Sequence, residues 1–219
     1  MNDLTDKKII ITINREFGSG GGTIARLLGQ KLGLKVYDRS MLDSIAEKFD
    51  MTIENIERVK AQKTNWWNDF CQFYQQFGAF SPTPNDETKV TPIKLYNAEA
   101  ELLRDLAEKE SCIIIERAGF HIFRDYPNAL HLLIIAKREA RIDRICKKQN
   151  LTVEEADKLA DKIDKARDTF VKNVSGTSRH DARNYNLTLD VTGLEQEKVA
   201  ASLVSYIQFM LLNRKQNKL

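Results

Sequence analysis

Short apolar runs alternate along the chain with longer stretches in which apolar residues recur every three or four positions, and that alternation predicts strands followed by helices. Residues 8–13 are an apolar, β-branched run that reads as a buried strand. Ile24, Leu27, Leu28 and Leu32 then mark one face of a helix, with Gly33 placed to stop it. Residues 35–37 read as a short second strand and residues 41–60 as helix, with Leu42, Ile45, Ala46 and Phe49 on one side. The prolines and small polar residues of 81–92 predict a loop, and Leu102, Leu103 and Leu106 give a helix over 96–110. Residues 112–115 and 129–136 are continuous apolar runs, the sign of strands covered on both faces. Thr152 and Glu155 form a capping box for a helix reaching about residue 173, with Ala156, Leu159, Ala160, Ile163 and Ala166 inward. Leu187, Leu189 and Val191 alternate in a last strand over 186–191. Thr192 and Glu195 are placed to cap a final helix striped by Val199, Leu203, Val204, Ile207 and Leu211. Strands each followed by a helix predict an α/β fold of three layers, with a doubly wound, mostly parallel five-stranded sheet.

Between the first strand and the first helix lies Arg15-Glu16-Phe17-Gly18-Ser19-Gly20-Gly21-Gly22-Thr23. Glycines let the backbone take positive φ and turn N–H groups inward, and a following helix adds the positive end of its dipole. Strand, glycine loop and helix in that order make a phosphate cradle; a ligand-free β–α turn is the other reading. The formula G-x-x-x-x-G-K-[ST] asks for a lysine at the position held by Gly21, and its first glycine falls on Arg15. No lysine lies in the loop. Arg15, or a residue arriving from a distant segment, is therefore the candidate for the missing charge, and the Thr23 hydroxyl is placed to meet phosphate or Mg²⁺.

Composition changes this picture little. With 42% apolar and 30% charged residues and a net charge of +3, the 219-residue chain is an ordinary globular protein that its charge does not assign to nucleic acid. Its length suits one domain with insertions. Cys71, Cys112 and Cys146 lack metal-ligand spacing and read as reduced thiols of a cytoplasmic protein, and neither a signal peptide nor a membrane span is expected. Where the basic residues fall matters more. Asp38 and Arg39 follow the second strand and Arg117 follows the third, at the edge where open α/β sheets bind ligands; surface polarity and a strand-end ion pair are the plain alternatives. Residues 137–148 are densely basic, and Arg141, Arg144 and Lys148 share a helix face opposite Ile142, Ile145 and Cys146, a face for phosphate or for solvent. Asp164, Arg167 and Asp168 lie at helical spacing, either a salt-bridge set or an arginine aimed at a phosphoryl group. His180 has no sequence neighbour to orient it. Trp66, Trp67, Phe70, Phe73, Tyr74, Phe77 and Phe80 recur near the helical period, as a buried face or a self-association surface of a homo-oligomer more than as a base-stacking site.

The segments IITINREFGSGGGTIARLLGQKLGLKVYDRSML, IIIERAGF, AKREARIDRI and KIDKARDTF, with NYNLTLDVTGL, together resemble the cytidylate kinase-like family of P-loop proteins over about residues 8–207. The resemblance implies a single nucleoside monophosphate kinase-like domain over 1–219, with its core at about 8–39, 93–136 and 184–212. It further implies a helical substrate-binding insertion at about 40–92 and a lid with basic helices at about 137–183. Gly18, Ser19, Gly20, Gly21, Gly22 and Thr23 would bind ATP phosphates, with Thr23 toward Mg²⁺. Asp38, Arg39, Arg117 and Asp164 would face the acceptor, and Arg15, Arg141, Arg144 and Arg167 would serve phosphoryl transfer. The implied partner is a small nucleotide, with ATP as donor and CMP or dCMP as acceptor. A nucleotide-binding protein of weak or no kinase activity, and a kinase for another small acceptor, are the alternatives. Members of the cytidylate kinases proper carry the lysine that Gly21 replaces, and Gly and Asp where this chain has Glu116 and Ala118 around the arginine.

Overall fold

The computed structural model describes residues 8–38 and 92–216. Strand β1 (Ile10–Arg15) is central in a five-stranded sheet of order β2-β3-β1-β4-β5, formed with β2 (Lys35–Tyr37), β3 (Cys112–Ile115), β4 (Ala129–Ile135) and β5 (Leu187–Asp190). Every described pairing is parallel, which agrees with the expected α/β fold. Ile10 lies opposite both Cys112 and Ala129, so the three inner strands run level and their C-terminal ends share one edge.

Side-chain alternation divides the core into two layers. Ile11, Ile13, Ile113, Ile115, Leu130, Leu132 and Ile134 pack on one face with α1 (Gly21–Leu32) and α6 (Gln196–Gln216). On the other face, Ile10, Cys112, Ile114 and Ala129 meet α2 (Pro92–Lys109), α3 (Gly119–Ile122) and Phe170 of α5 (Val153–Ser175). Helix α4 (Arg138–Gln149) turns at Asn150 into α5, and the pair makes its own small apolar cluster of Ile142, Ile145, Ala156 and Ala160.

Thr152 and Glu155 form the expected capping box at the start of α5. Two boundaries differ from expectation. Helix α2 begins at Pro92, where a proline fits the first helical position because no N–H is needed there. Thr192 does not cap α6: its hydroxyl donates to Asp190 Oδ1 (2.6 Å) and accepts from the Lys137 N–H (2.8 Å), tying the end of β5 to the start of α4. Arg39, the expected insertion and the aromatic positions from Trp66 to Phe80 lie outside the described residues.

Candidate active site

The ladder around β1 continues one residue past its neighbours: Glu116 N–H donates to Ile13 O (3.0 Å) and Glu16 N–H to Ile134 O (3.1 Å). The glycine loop thus leaves the sheet between the ends of β3 and β4. The chain places β2 and β3 to one side of β1 and β4 and β5 to the other, which makes this edge the topological switch point where open α/β sheets bind ligands. Gly18 and Gly20 take φ of +79° and +86°, and α1 starts immediately after. Within the loop, Ser19 N–H donates to Glu16 O, Gly21 N–H to Ser19 Oγ and Thr23 N–H to Gly20 O. The N–H groups of Gly18, Gly20 and Gly22 have no acceptor among the described residues. Ser19 is buried, whereas Thr23 is exposed at the first turn of α1.

Helices α4 and α5 are fastened onto this loop by arginines that bind its backbone. Arg141, 6% exposed, donates to Phe17 O (3.1 Å) and pairs with Asp164 (2.5 Å); Asp164 in turn accepts the Phe17 N–H (2.9 Å). Arg144 donates to Gly18 O (2.5 Å). Arg167 donates to Arg15 O (3.2 Å) and lies 3.6 Å from Glu116 Oε1. The Phe17 ring packs into the α4–α5 cluster, so the loop is held by an apolar plug as well as by charge. Arg141, Arg144, Arg167 and Asp164 are therefore brought together at the loop.

Arg179 is the residue that sequence reasoning missed. It follows α5 in a loop, is 1% exposed, and its three nitrogens reach Asp168, Asp164 Oδ1 (2.9 Å) and Arg15 O (2.8 Å). Burial works against its charge, and the carboxylates of Glu116, Asp164 and Asp168 outweigh burial and raise its pKa. His180, which no sequence neighbour orients, stands 3.2 Å from Asp168. Gln196, at the start of α6, lays its amide against Gly20.

The acceptor candidates are dispersed. Asp38 accepts from Arg26 of α1 (3.2 Å). Glu116, Arg117 and Ala118 all take positive φ, at 67°, 58° and 51°. Three successive non-glycine residues there cost about 1–2 kcal/mol each, strain of the kind that accumulates at functional edges. The turn sends Arg117 inward: it is 4% exposed, paired with Glu99 of α2, and 4.8 Å from the centre of the Phe170 ring. On the same face the Asn14 amide on β1 and the Tyr96 hydroxyl on α2 are buried without a hydrogen-bond partner among the described residues. Burial pushes the Tyr96 hydroxyl up to about 12, against the lowering charges of Arg104 and Arg117. An unmet buried amide costs about 1–3 kcal/mol. Asn14→Leu is accordingly expected to raise stability by about that amount in urea denaturation; a loss would mean that the amide has a partner after all.

The fold recurs in solved structures. An uncharacterized protein from Eubacterium ventriosum superposes with a TM-score of 0.68 at 23% identity, over 92% of this chain and 98% of that one. A gluconokinase from Sinorhizobium meliloti gives 0.51 at 10% identity, covering 96% and 97%. A shikimate kinase from Bacteroides thetaiotaomicron gives 0.50 at 15%, covering 93% and 98%. Among curated proteins none matches the sequence. No helix among the described residues is long and apolar enough to cross a membrane. The model of the cytidylate kinase-like family matches residues 10–193, from the start of β1 to just past β5, and the chain belongs to that family.

Proposed function

We propose that the chain transfers a phosphoryl group from ATP to a small phosphorylated acceptor, a nucleoside monophosphate of the CMP or dCMP type, releasing ADP and the diphosphate. One observation carries this reading: arginines from β1, α4, α5 and the loop after α5 converge on a glycine loop at the switch point of the sheet. The site fits ATP, because three loop N–H groups have no acceptor among the described residues and the first turn of α1 holds no acidic residue. When bound, ATP with Mg²⁺ supplies the γ-phosphoryl group and the negative charge that the site must balance.

The chain's own part is placement and charge. Gly18 to Thr23 bind the phosphates through backbone N–H groups, and the exposed Thr23 hydroxyl is offered to Mg²⁺. Arg144 and Arg167 stand at the loop's carbonyls as the charge-balancing groups, while Arg141, locked between Asp164 and Phe17 O, positions the loop. Helices α4 and α5 act as the lid that excludes water. Asp38, Arg39, Arg117 and Asp164 serve the acceptor, and a phosphate oxygen as nucleophile needs no general base. A second reading, a kinase for a different small acceptor, is favoured by the Glu99 carboxylate that neutralises Arg117.

The test is coupled detection of ADP release from Mg-ATP with CMP, dCMP, UMP, AMP and GMP offered in turn. Release that depends on CMP or dCMP is the expected result. Silence across the panel with ATP still bound would move the assignment to the other acceptor, and failure to bind ATP would defeat both.

A further inference from the structure

We infer that Asn14 and Tyr96 read the uncharged end of the acceptor, a flat ring with an amide-like edge such as the pyrimidine of a CMP-type nucleotide. The inference rests on the kinase reading above and adds which residues meet the acceptor's base.

Alternation along β1 puts Asn14 on the sheet face of Ile10 and Thr12, the face covered by α2, α3 and Phe170 of α5. It is the last residue of β1 to point that way. The register that sets Ile13 beside Ile115 sets Asn14 beside Glu116, where the left-handed turn begins. From that turn Arg117 reaches over the Phe170 ring, its guanidinium carbon 4.8 Å from the ring centre, and Tyr96 meets the same ring edge-on at 5.9 Å. Strand end, turn and α2 thus bring three polar side chains to the ligand-binding edge of one face.

All three are buried, and two are unsatisfied. Neither atom of the Asn14 amide nor the Tyr96 hydroxyl has a hydrogen-bond partner among the described residues. Leucine and phenylalanine would fill those positions without that cost, so the polar groups need a use. The charge nearby limits what the use can be. Glu99 offsets the charge of Arg117, so the corner suits an uncharged group better than a phosphate. A carboxamide offers a donor and an acceptor side by side, and a phenol kept protonated by burial offers another donor. Together they complement the adjacent donors and acceptors of a pyrimidine edge. Phe170 belongs to α5, one of the two helices that act as the lid, and α5 also reaches the end of β1 through Arg167, which donates to Arg15 O (3.2 Å). Movement of α5 uncovers the polar corner, and its return encloses the base where a hydrogen bond is worth more than in water.

Titration calorimetry of the full chain with CMP, ribose 5-phosphate and ATP tests this, using Asn14→Leu and Tyr96→Phe, with urea denaturation of each variant. The unsubstituted protein should bind CMP at least about 10-fold more tightly than ribose 5-phosphate, which keeps the sugar and the phosphate and lacks the base. Asn14→Leu should weaken CMP roughly 10- to 100-fold and Tyr96→Phe roughly 10-fold. Both should keep the affinity for ribose 5-phosphate and ATP and unfold at a urea concentration no lower than before. A merely structural role would instead lower that concentration and weaken every ligand together. Equal affinity for CMP and ribose 5-phosphate, unchanged CMP affinity in either variant, or a loss shared with ATP would overturn the inference while leaving the kinase reading intact. Binding of ATP without CMP would overturn both the inference and the nucleotide acceptor, and absence of ATP binding would defeat the kinase reading as well.

Discussion

Arg179→Ala should cost the fold about 3 kcal/mol in urea denaturation, near the lower end of the range for breaking a buried ion pair. The estimate stays low for a reason. Asp168, one of the two carboxylates that Arg179 binds, has a side chain 47% exposed, so water replaces much of that contact. The cost comes from the other two partners, the Asp164 carboxylate and the Arg15 carbonyl, which lie where water does not reach easily. Asp164 retains Arg141 and the Phe17 N–H, which prevents the loss from reaching the top of the range. Arg179→Lys should recover little, because a single ammonium cannot address three acceptors that the guanidinium meets with three different nitrogens. Acid should bring the two proteins closer together. Burial alone would raise the Asp168 pKa, but hydrogen bonds from His180 and Arg179 and their charges outweigh it, and the carboxyl titrates below its ordinary value. Its contribution is complete above the unfolded-state pKa and disappears as pH falls through the lower folded value. The unsubstituted protein should therefore lose stability below about pH 4, where carboxylates ordinarily protonate, more steeply than Arg179→Ala. A cost under about 1 kcal/mol would place Arg179 among ordinary surface pairs.

How much of this could be read in advance depends on the range of each interaction. Residues 112–115 and 129–135 announce themselves as buried strands because parallel strands covered on both faces need apolar side chains throughout. Gly33 and the Thr152–Glu155 box mark helix ends through bonds confined to a few residues. The basic face of α4 was legible for the same reason: Arg141 and Arg144 are three apart, and both meet the glycine loop. Arg179 gave no such signal. Its partners are at positions 15, 164 and 168, and nothing in a loop arginine's neighbours says that it will be buried. Glu99 is equally silent, an ordinary charge on an amphipathic helix until the left-handed turn at 116–118 carries Arg117 onto it. Thr192 misled because the pattern for a cap was complete, but tertiary contacts with Lys137 and Asp190 claimed its hydroxyl first. The gap at Gly21 was visible by comparison with a formula, because the formula is confined to a few consecutive positions.

Gly18→Ala should abolish the site while leaving a folded protein. Two separate penalties fall on this position. At φ +79° an alanine bears about 1–2 kcal/mol of backbone strain, and its Cβ would stand 2.8 Å from Arg141 O and 2.9 Å from Ile145 Cδ1. The carbonyl belongs to the backbone of α4, so the helix must retreat or the loop must flatten. Retreat breaks the bonds from Arg141 to Phe17 O and from Arg144 to Gly18 O together, because both arginines ride on the same helix. Flattening turns the loop N–H groups away from a common focus. Either outcome should weaken ATP by at least about 100-fold, since several charge-assisted contacts are lost at once. Gly33→Ala isolates the first penalty: its φ is +67°, yet nothing lies within 4 Å of its Cβ position, at the far end of α1. That variant should lose the same strain of about 1–2 kcal/mol in urea and bind ATP as the unsubstituted protein does. Equal effects of the two substitutions on ATP affinity would mean that the loop tolerates displacement of α4, and the arginine clamp would then have no part in binding.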